Sequence, residues 1–113
     1  MKPFPHNTYC PYFQDTFELL GKRWTAAILR ALFSGRSRFV EIVDSVPGLS
    51  NRLLVERLNE LIAADVVLSC DGREGGYALT ERGKDLRPIL KEVEDWNRRW
   101  IEEEIATEGS SRR

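Results

Sequence analysis

Two helical patterns sit on either side of the dipeptide Pro47 and Gly48, and a hairpin pattern follows them directly. Before the break, Phe39, Ile42, Val43 and Val46 repeat at three- and four-residue steps, which is one apolar face of a helix. After it, Leu54, Leu58, Leu61 and Ile62 do the same. Proline followed by glycine does not continue a helix, so the two faces belong to separate helices joined by a tight turn. Downstream, residues 66–69 are a short β-branched run, Asp71-Gly72 and Gly75-Gly76 are turn signals, and Tyr77, Ala78 and Leu79 form a return strand. A compact helix pair followed by a two-stranded ribbon is the plan of a winged helix-turn-helix. That shape fits one helix into a DNA major groove and lays the ribbon beside it.

The flanking sequence extends this plan. Residues 1–11 hold three prolines and no helical period, and read as a flexible N-terminal arm. A short helix is expected over 12–20, with Phe13, Phe17 and Leu20 on one face and Gly21 as its stop. A second is expected over 24–33, where Trp24, Ala27, Ile28, Ala31 and Leu32 make a core-facing stripe. Beyond the hairpin, Thr80 is placed as the N-cap of one long helix reaching to about residue 105. Leu86, Leu90, Val93, Trp96, Trp100 and Ile101 line that helix, and Pro88 is a point of kinking within it. Residues 107–113 are small and polar and read as a disordered tail. The expected fold class is mainly α (α+β): one winged helix-turn-helix domain over 12–106, with a two-stranded wing and N- and C-terminal dimerisation helices. Phe13, Phe17, Val93, Trp96, Trp100 and Ile101 are the expected dimer interface, because a domain of 113 residues cannot cover that much apolar surface alone.

Charge is divided along the chain. The net charge is −1, but residues 21–57 carry seven basic and three acidic side chains, while residues 91–108 carry three basic and seven acidic ones. A basic head with an acidic back suits a phosphate-facing surface, although a charge run is also what any solvated face shows. Within the second helix of the pair, Ser50 is a good N-cap, and Asn51, Arg52, Glu56 and Asn59 face away from the leucine stripe with Val55 at the edge. Donors and acceptors mixed on one face are what base reading needs. An ordinary surface helix has the same amphipathicity, so both readings stay open on spacing alone. The expected DNA-contacting residues are Arg38, Ser50, Asn51, Arg52, Val55 and Glu56, with Arg73 at the wing tip as a phosphate or minor-groove contact.

Several functions are excluded or disfavoured. The sequence has no glycine-rich phosphate loop, no acid and base at catalytic spacing and no metal motif, so no enzyme activity, cofactor or metal is expected. The single histidine, His6, lies in the arm and reads as solvated. No apolar run approaches the roughly 18 residues of a membrane span, and no signal-peptide core is present, so a cytoplasmic location is expected. Cys10 and Cys70 are too few for a disulfide scaffold and lack zinc spacing. A winged helix that binds protein rather than DNA remains an alternative. So does a regulator switched by a non-covalent small molecule held among Trp24, Trp96, Trp100 and the phenylalanines, which otherwise are simple core.

The order of short segments then becomes informative. Cys10-Pro11, Leu20-Gly21-Lys22-Arg23-Trp24-Thr25, Ile28-Leu29-Arg30, Arg38-Phe39, Pro47-Gly48-Leu49-Ser50, Arg57-Leu58-Asn59-Glu60-Leu61 and Tyr77-Ala78-Leu79-Thr80-Glu81-Arg82-Gly83 together resemble the HxlR-type winged-helix transcription regulators. The resemblance spans about residues 10–100. It implies a bacterial, homodimeric DNA-binding regulator, similar in role to the MarR regulators, acting on an inverted-repeat operator. Several members sense oxidants or electrophiles through a cysteine just before the first helix, and Cys10 stands at that position. Lys22 and Arg23 are expected near enough to favour its thiolate. Cys10 as a sensor and Cys10 as a small gap-filling side chain both remain open, and Cys70 is expected to pack as a small hydrophobe. The wing is shorter than the family's usual proline-containing one.

Overall fold

The computed structural model describes residues 8–70 and 75–108. The arm expected at the N-terminus up to residue 7 with His6, the wing tip with Arg73, and the tail from residue 109 lie outside these described residues. Helices α1 (Pro11–Leu20), α2 (Thr25–Phe33), α3 (Phe39–Ser45) and α4 (Asn51–Ala63) come first. Strands β1 (Val67–Ser69) and β2 (Tyr77–Leu79) follow, then α5 (Glu81–Lys84) and α6 (Arg87–Glu108). The strands pair antiparallel with Val67 opposite Leu79 and Ser69 opposite Tyr77. The fold is thus the expected winged helix-turn-helix with one helix before it and one long helix after it.

The core sits between α2, α3, α4 and the base of the wing. Ile28, Leu29, Ile42, Leu54, Leu58, Leu61 and Val67 are fully buried there. Each such side chain contributes about 1.5–3 kcal/mol by leaving water. The leucine stripe of α4 is inward as its spacing predicted. Leu29, which lies off the expected stripe of α2, is also buried, because α2 is enclosed on more than one side.

Close backbone approaches fix the wing. The Tyr77 N–H donates to the Ser37 carbonyl at 2.8 Å, so the segment before α3 acts as a third rung beside β2. A methyl group on Gly76 would run into the Ser37 carbonyl, and Gly76 has φ +71, so only glycine fits the junction. The Thr80 hydroxyl donates to the Asp65 carbonyl at 2.6 Å and accepts from the Gly83 N–H at 2.9 Å. Thr80 thereby caps α5 and ties it to the start of the wing.

Three local expectations are corrected. The long helix expected from Thr80 is two helices: α5 closes after one turn, and α6 starts at Arg87. Pro88 is the reason it starts there. Its missing N–H needs no partner in a first turn, so it begins α6 instead of kinking it. Trp24 is not helical; it precedes α2 in the left-handed region at φ 77. Finally, α1 begins at Pro11, one residue before the expected boundary, with Cys10 as its N-cap residue, and the α6 backbone continues to Glu108.

Candidate nucleic-acid interface

The reading helix is anchored at both ends of its polar face. At its start, the Leu53 N–H donates to Ser50 Oγ at 3.1 Å, which fixes the first turn as the cap predicted. The left-handed Gly48, at φ +90, makes the preceding turn, and a Cβ there would meet the Trp24 ring at 3.1 Å. The indole thus packs over the turn of the helix-turn-helix, with the Arg23 guanidinium 4.9 Å above the ring centroid. The unfavourable φ of Trp24 makes sense in this setting: it swings the indole from the end of α1 onto the turn that aims α4.

A second anchor lies further along. Arg57 Nε donates to the Arg23 carbonyl at 2.8 Å, and its Nη1 is 3.3 Å from Glu60. Lys22 Nζ pairs with Glu60 at 3.1 Å. The Arg57 side chain is only 15% exposed. Arg57 is therefore a clamp between α4 and the turn joining α1 to α2, and not a group on the outward face. Its position beside the Leu54, Leu58 and Leu61 stripe, three residues before a glutamate, was the available sign that it turns inward.

With those residues inward, the outward face is defined. Asn51, Arg52, Val55, Glu56 and Asn59 are all exposed. Arg52 projects furthest, its side chain 88% exposed, and lies 3.6 Å from Glu56 one turn on. Because Arg52 is matched by Glu56 and Arg57 by Glu60, α4 itself brings no net charge to a partner. The positive charge around it comes from the neighbouring loops. Arg38 is exposed at the start of α3, and Arg36 donates to Ser34 Oγ at 2.7 Å just before it. The Glu41 carboxylate accepts the N–H groups of Arg38 and Ser37, each at 3.1 Å. Those two donors, Arg38 first, hold its carboxyl below the usual carboxylate range.

The remaining candidate residues lie away from this face. Phe13 and Phe17 are exposed on α1 with ring centroids 4.9 Å apart. Val93, Trp96, Trp100 and Ile101 are exposed along α6, the two indoles by 56% and 51%. The base of α6 is held to the head: Arg30 pairs with Glu94 at 2.7 Å, and Arg87 lies 4.7 Å from the centre of the Phe33 ring. Cys10 is buried at the opposite end of α1 from Lys22. Ten helical residues separate them, about 15 Å, so Lys22 and Arg23 do not sit beside the thiol as expected. Lys22 is instead committed to Glu60. Neither Cys10 nor Cys70 is in a disulfide, and Cys70 is half-buried at the end of β1.

A capped, clamped helix with a polar outward face, beside a two-stranded wing, defines a winged-helix DNA-binding protein. Residues 19–105 match the model of the HxlR-like helix-turn-helix family. The chain belongs to that family of transcriptional regulators. It is 42% identical over 98 residues to the uncharacterized HTH-type transcriptional regulator YvaP of Bacillus subtilis, covering 82% of this chain and 90% of the relative. It is 38% identical over 94 residues to the HTH-type transcriptional regulator YodB of the same organism, covering 80% of this chain and 84% of the relative. The structure of quinone-bound YodB superposes with a TM-score of 0.72 at 36% identity, over 80% of this chain and 99% of that one. Among the described residues, no helix is long and apolar enough to cross a membrane.

Proposed function

We propose that this regulator works as a homodimer, that each copy reads half of an inverted-repeat operator with α4, and that oxidants or electrophiles reacting at Cys10 change its affinity for that operator. The observation that carries the DNA-reading part is the geometry of α4. Its leucines are buried, its orientation is fixed by Ser50 and Arg57, and its exposed face presents Arg52 and Glu56 near an N-terminus that favours phosphate. A protein-binding winged helix would present an apolar or acidic face instead. Dimerisation is supported by the aromatic and aliphatic side chains that α1 and α6 leave about half exposed. A two-fold dimer then sets two reading helices about one DNA turn apart.

The switch is supported by the placement of Cys10 and by the quinone-bound state of the relative YodB. The thiolate is the form that attacks: its sulfur bonds to a ring carbon of the quinone, the C=C π pair shifts onto the carbonyl oxygen, and that oxygen takes a proton from water, leaving a thioether on a hydroquinone ring. Cys10 is buried at the N-cap of α1, so an adduct there adds bulk against the start of that helix and would displace it. Helix α1 carries Phe13 and Phe17 on its outward side, and its far end leads to the Lys22 and Arg23 contacts with α4. A displacement of α1 therefore acts on the dimer face and on the reading helix together. The test is operator binding by the wild type and Cys10→Ser, with and without diamide or benzoquinone. Loss of binding in the wild type alone is expected. Equal loss in both proteins, or none in either, removes Cys10 from the mechanism.

A further inference from the structure

Val55 is an anomaly on the reading face. Among the described residues of α4 it is the one large hydrophobic side chain exposed to solvent, at 46%. Every other large apolar side chain of the helix turns toward the core: Leu54, Leu58 and Leu61 are buried, and Leu53 and Ile62 pack against them. Its neighbours on the outer face, Arg52, Glu56 and Asn59, are polar. Valine is also a poor choice for helix propensity on a solvent face, because its β-branch restricts the side chain there.

We infer that Val55 reads the 5-methyl group of a thymine, next to the base pair contacted by Arg52. The inference rests on the proposed DNA-reading role of α4 and adds the base that this position selects. A valine offers neither a donor nor an acceptor. In the major groove, the one apolar group on a base edge is the thymine methyl. Opposite N7 and O6 of guanine, N7 and the amino group of adenine, or the amino group of cytosine, Val55 would strip water without replacing the lost hydrogen bond. The same side chain thus favours thymine and penalises the other bases, which gives specificity of both signs.

Position along the helix supports the register. Val55 is the fifth residue of the thirteen in α4, within the N-terminal half that enters the groove in helix-turn-helix proteins. It follows Arg52 by three residues and so shares its face, about 4.5 Å further along the axis. That distance is close to one base-pair step of about 3.4 Å. Arg52 pairs in bidentate fashion with guanine, and Glu56 at 3.6 Å limits the directions its guanidinium can take. Each half-site should therefore hold a guanine and a thymine on adjacent base pairs.

The test starts with duplexes selected from a random pool by the reduced wild-type protein. In the tightest-bound duplex, each thymine is replaced in turn by uracil, which removes only the methyl. Binding is measured for the wild type and for Val55→Ala, a substitution that favours the helix and so keeps the fold. One thymine per half-site should respond, with affinity falling about four-fold for the loss of one buried methyl. That position should be silent in Val55→Ala. At the same position, 5-methylcytosine should bind wild type better than cytosine does. A uracil effect of equal size in both proteins, or no sensitive position in the wild type, overturns the assignment to Val55 while leaving the operator reading intact. If no duplex is enriched at all, the operator reading itself falls, and this inference with it.

Discussion

Replacing Arg57 by alanine separates a clamp from a DNA contact. In the structure the side chain is 15% exposed, donates to the Arg23 carbonyl at 2.8 Å and lies 3.3 Å from Glu60. A hydrogen bond involving a charged group contributes about 1.5–3 kcal/mol. Glu60 is itself 31% exposed and keeps Lys22 as a partner, so its loss is cushioned by water and by that lysine. About 2 kcal/mol of lost stability is the expected outcome, at the lower end of that range. With a urea dependence of about 2 kcal/mol/M, the unfolding midpoint should fall by about 1 M, followed by far-ultraviolet circular dichroism. Arg57→Lys should recover little of it, since an ammonium cannot reach a carbonyl and a carboxylate with the planar fork of a guanidinium. Operator binding measured against salt concentration supplies the opposing check. A clamp leaves the slope of log affinity on log salt unchanged, whereas loss of a phosphate contact reduces it by about one. An unchanged urea midpoint with a shallower salt slope would refute the placement of Arg57 inside the fold.

Gly83→Ala places a methyl against the Val66 carbonyl where α5 meets the wing, so it should cost about 1–3 kcal/mol in thermal or urea unfolding; a stable variant would show that α5 can shift freely. Trp100→Glu puts a charge in the exposed apolar face of α6; if the proposed dimer forms through that face, burying about 2,000 Å² or more, the variant should sediment as a monomer at micromolar concentration while the wild type sediments as a dimer. The Glu41 carboxyl titrates below its unfolded value of 4.5, so the stability it adds is complete above that pH and disappears as pH falls through the lowered folded value. The stability gap between wild type and Glu41→Gln should therefore be open at neutral pH and close on acidification; a gap that widened in acid would contradict the sign. Glu56→Gln frees Arg52 from its partner at 3.6 Å and should raise affinity for unrelated duplexes as well as for the operator, steepening the salt slope for both. Unchanged affinity for unrelated DNA would mean that Glu56 does not restrain Arg52.

The parts of the fold that follow from hydrophobic period were legible in the sequence. The inward faces of α3 and α4, the cap at Ser50 and the turn at Gly48 are local patterns, and each has a local cause. The split between α5 and α6 was not, because it depends on a pairing across space. Thr80 caps a single turn while also holding the Asp65 carbonyl, and Gly83 must lie flat on Val66. Gly83 stands five residues before Pro88, yet nothing in the apolar spacing distinguished a kink from two helices. Trp24 was hidden for the same reason. Its spacing fits the stripe of α2, but the partner that decides its backbone is Gly48, more than twenty residues away in sequence.

The candidate site divides along the same line. Outward residues could be read because exposure on α4 is simply the complement of the leucine stripe. Charge could not be read that way. The basic excess over residues 21–57 pointed to a basic head, whereas the structure cancels Arg52 with Glu56 and commits Lys22 and Arg57 to Glu60, so little of that charge lies on α4. This changes what the helix can do. A strongly positive helix would bind any duplex through its phosphates and would discriminate poorly between sequences. A neutral one, held at a fixed angle by Trp24 and Arg57, is suited to sequence choice through the shape and chemistry of the base edges. On the proposed DNA-reading role, the phosphate contacts would fall to the N-terminus of α4 and to the arginines of the loop before α3. In that arrangement affinity and sequence choice would reside in different residues, and the proposed displacement of α1, by tilting α4, would weaken the second before it removed the first.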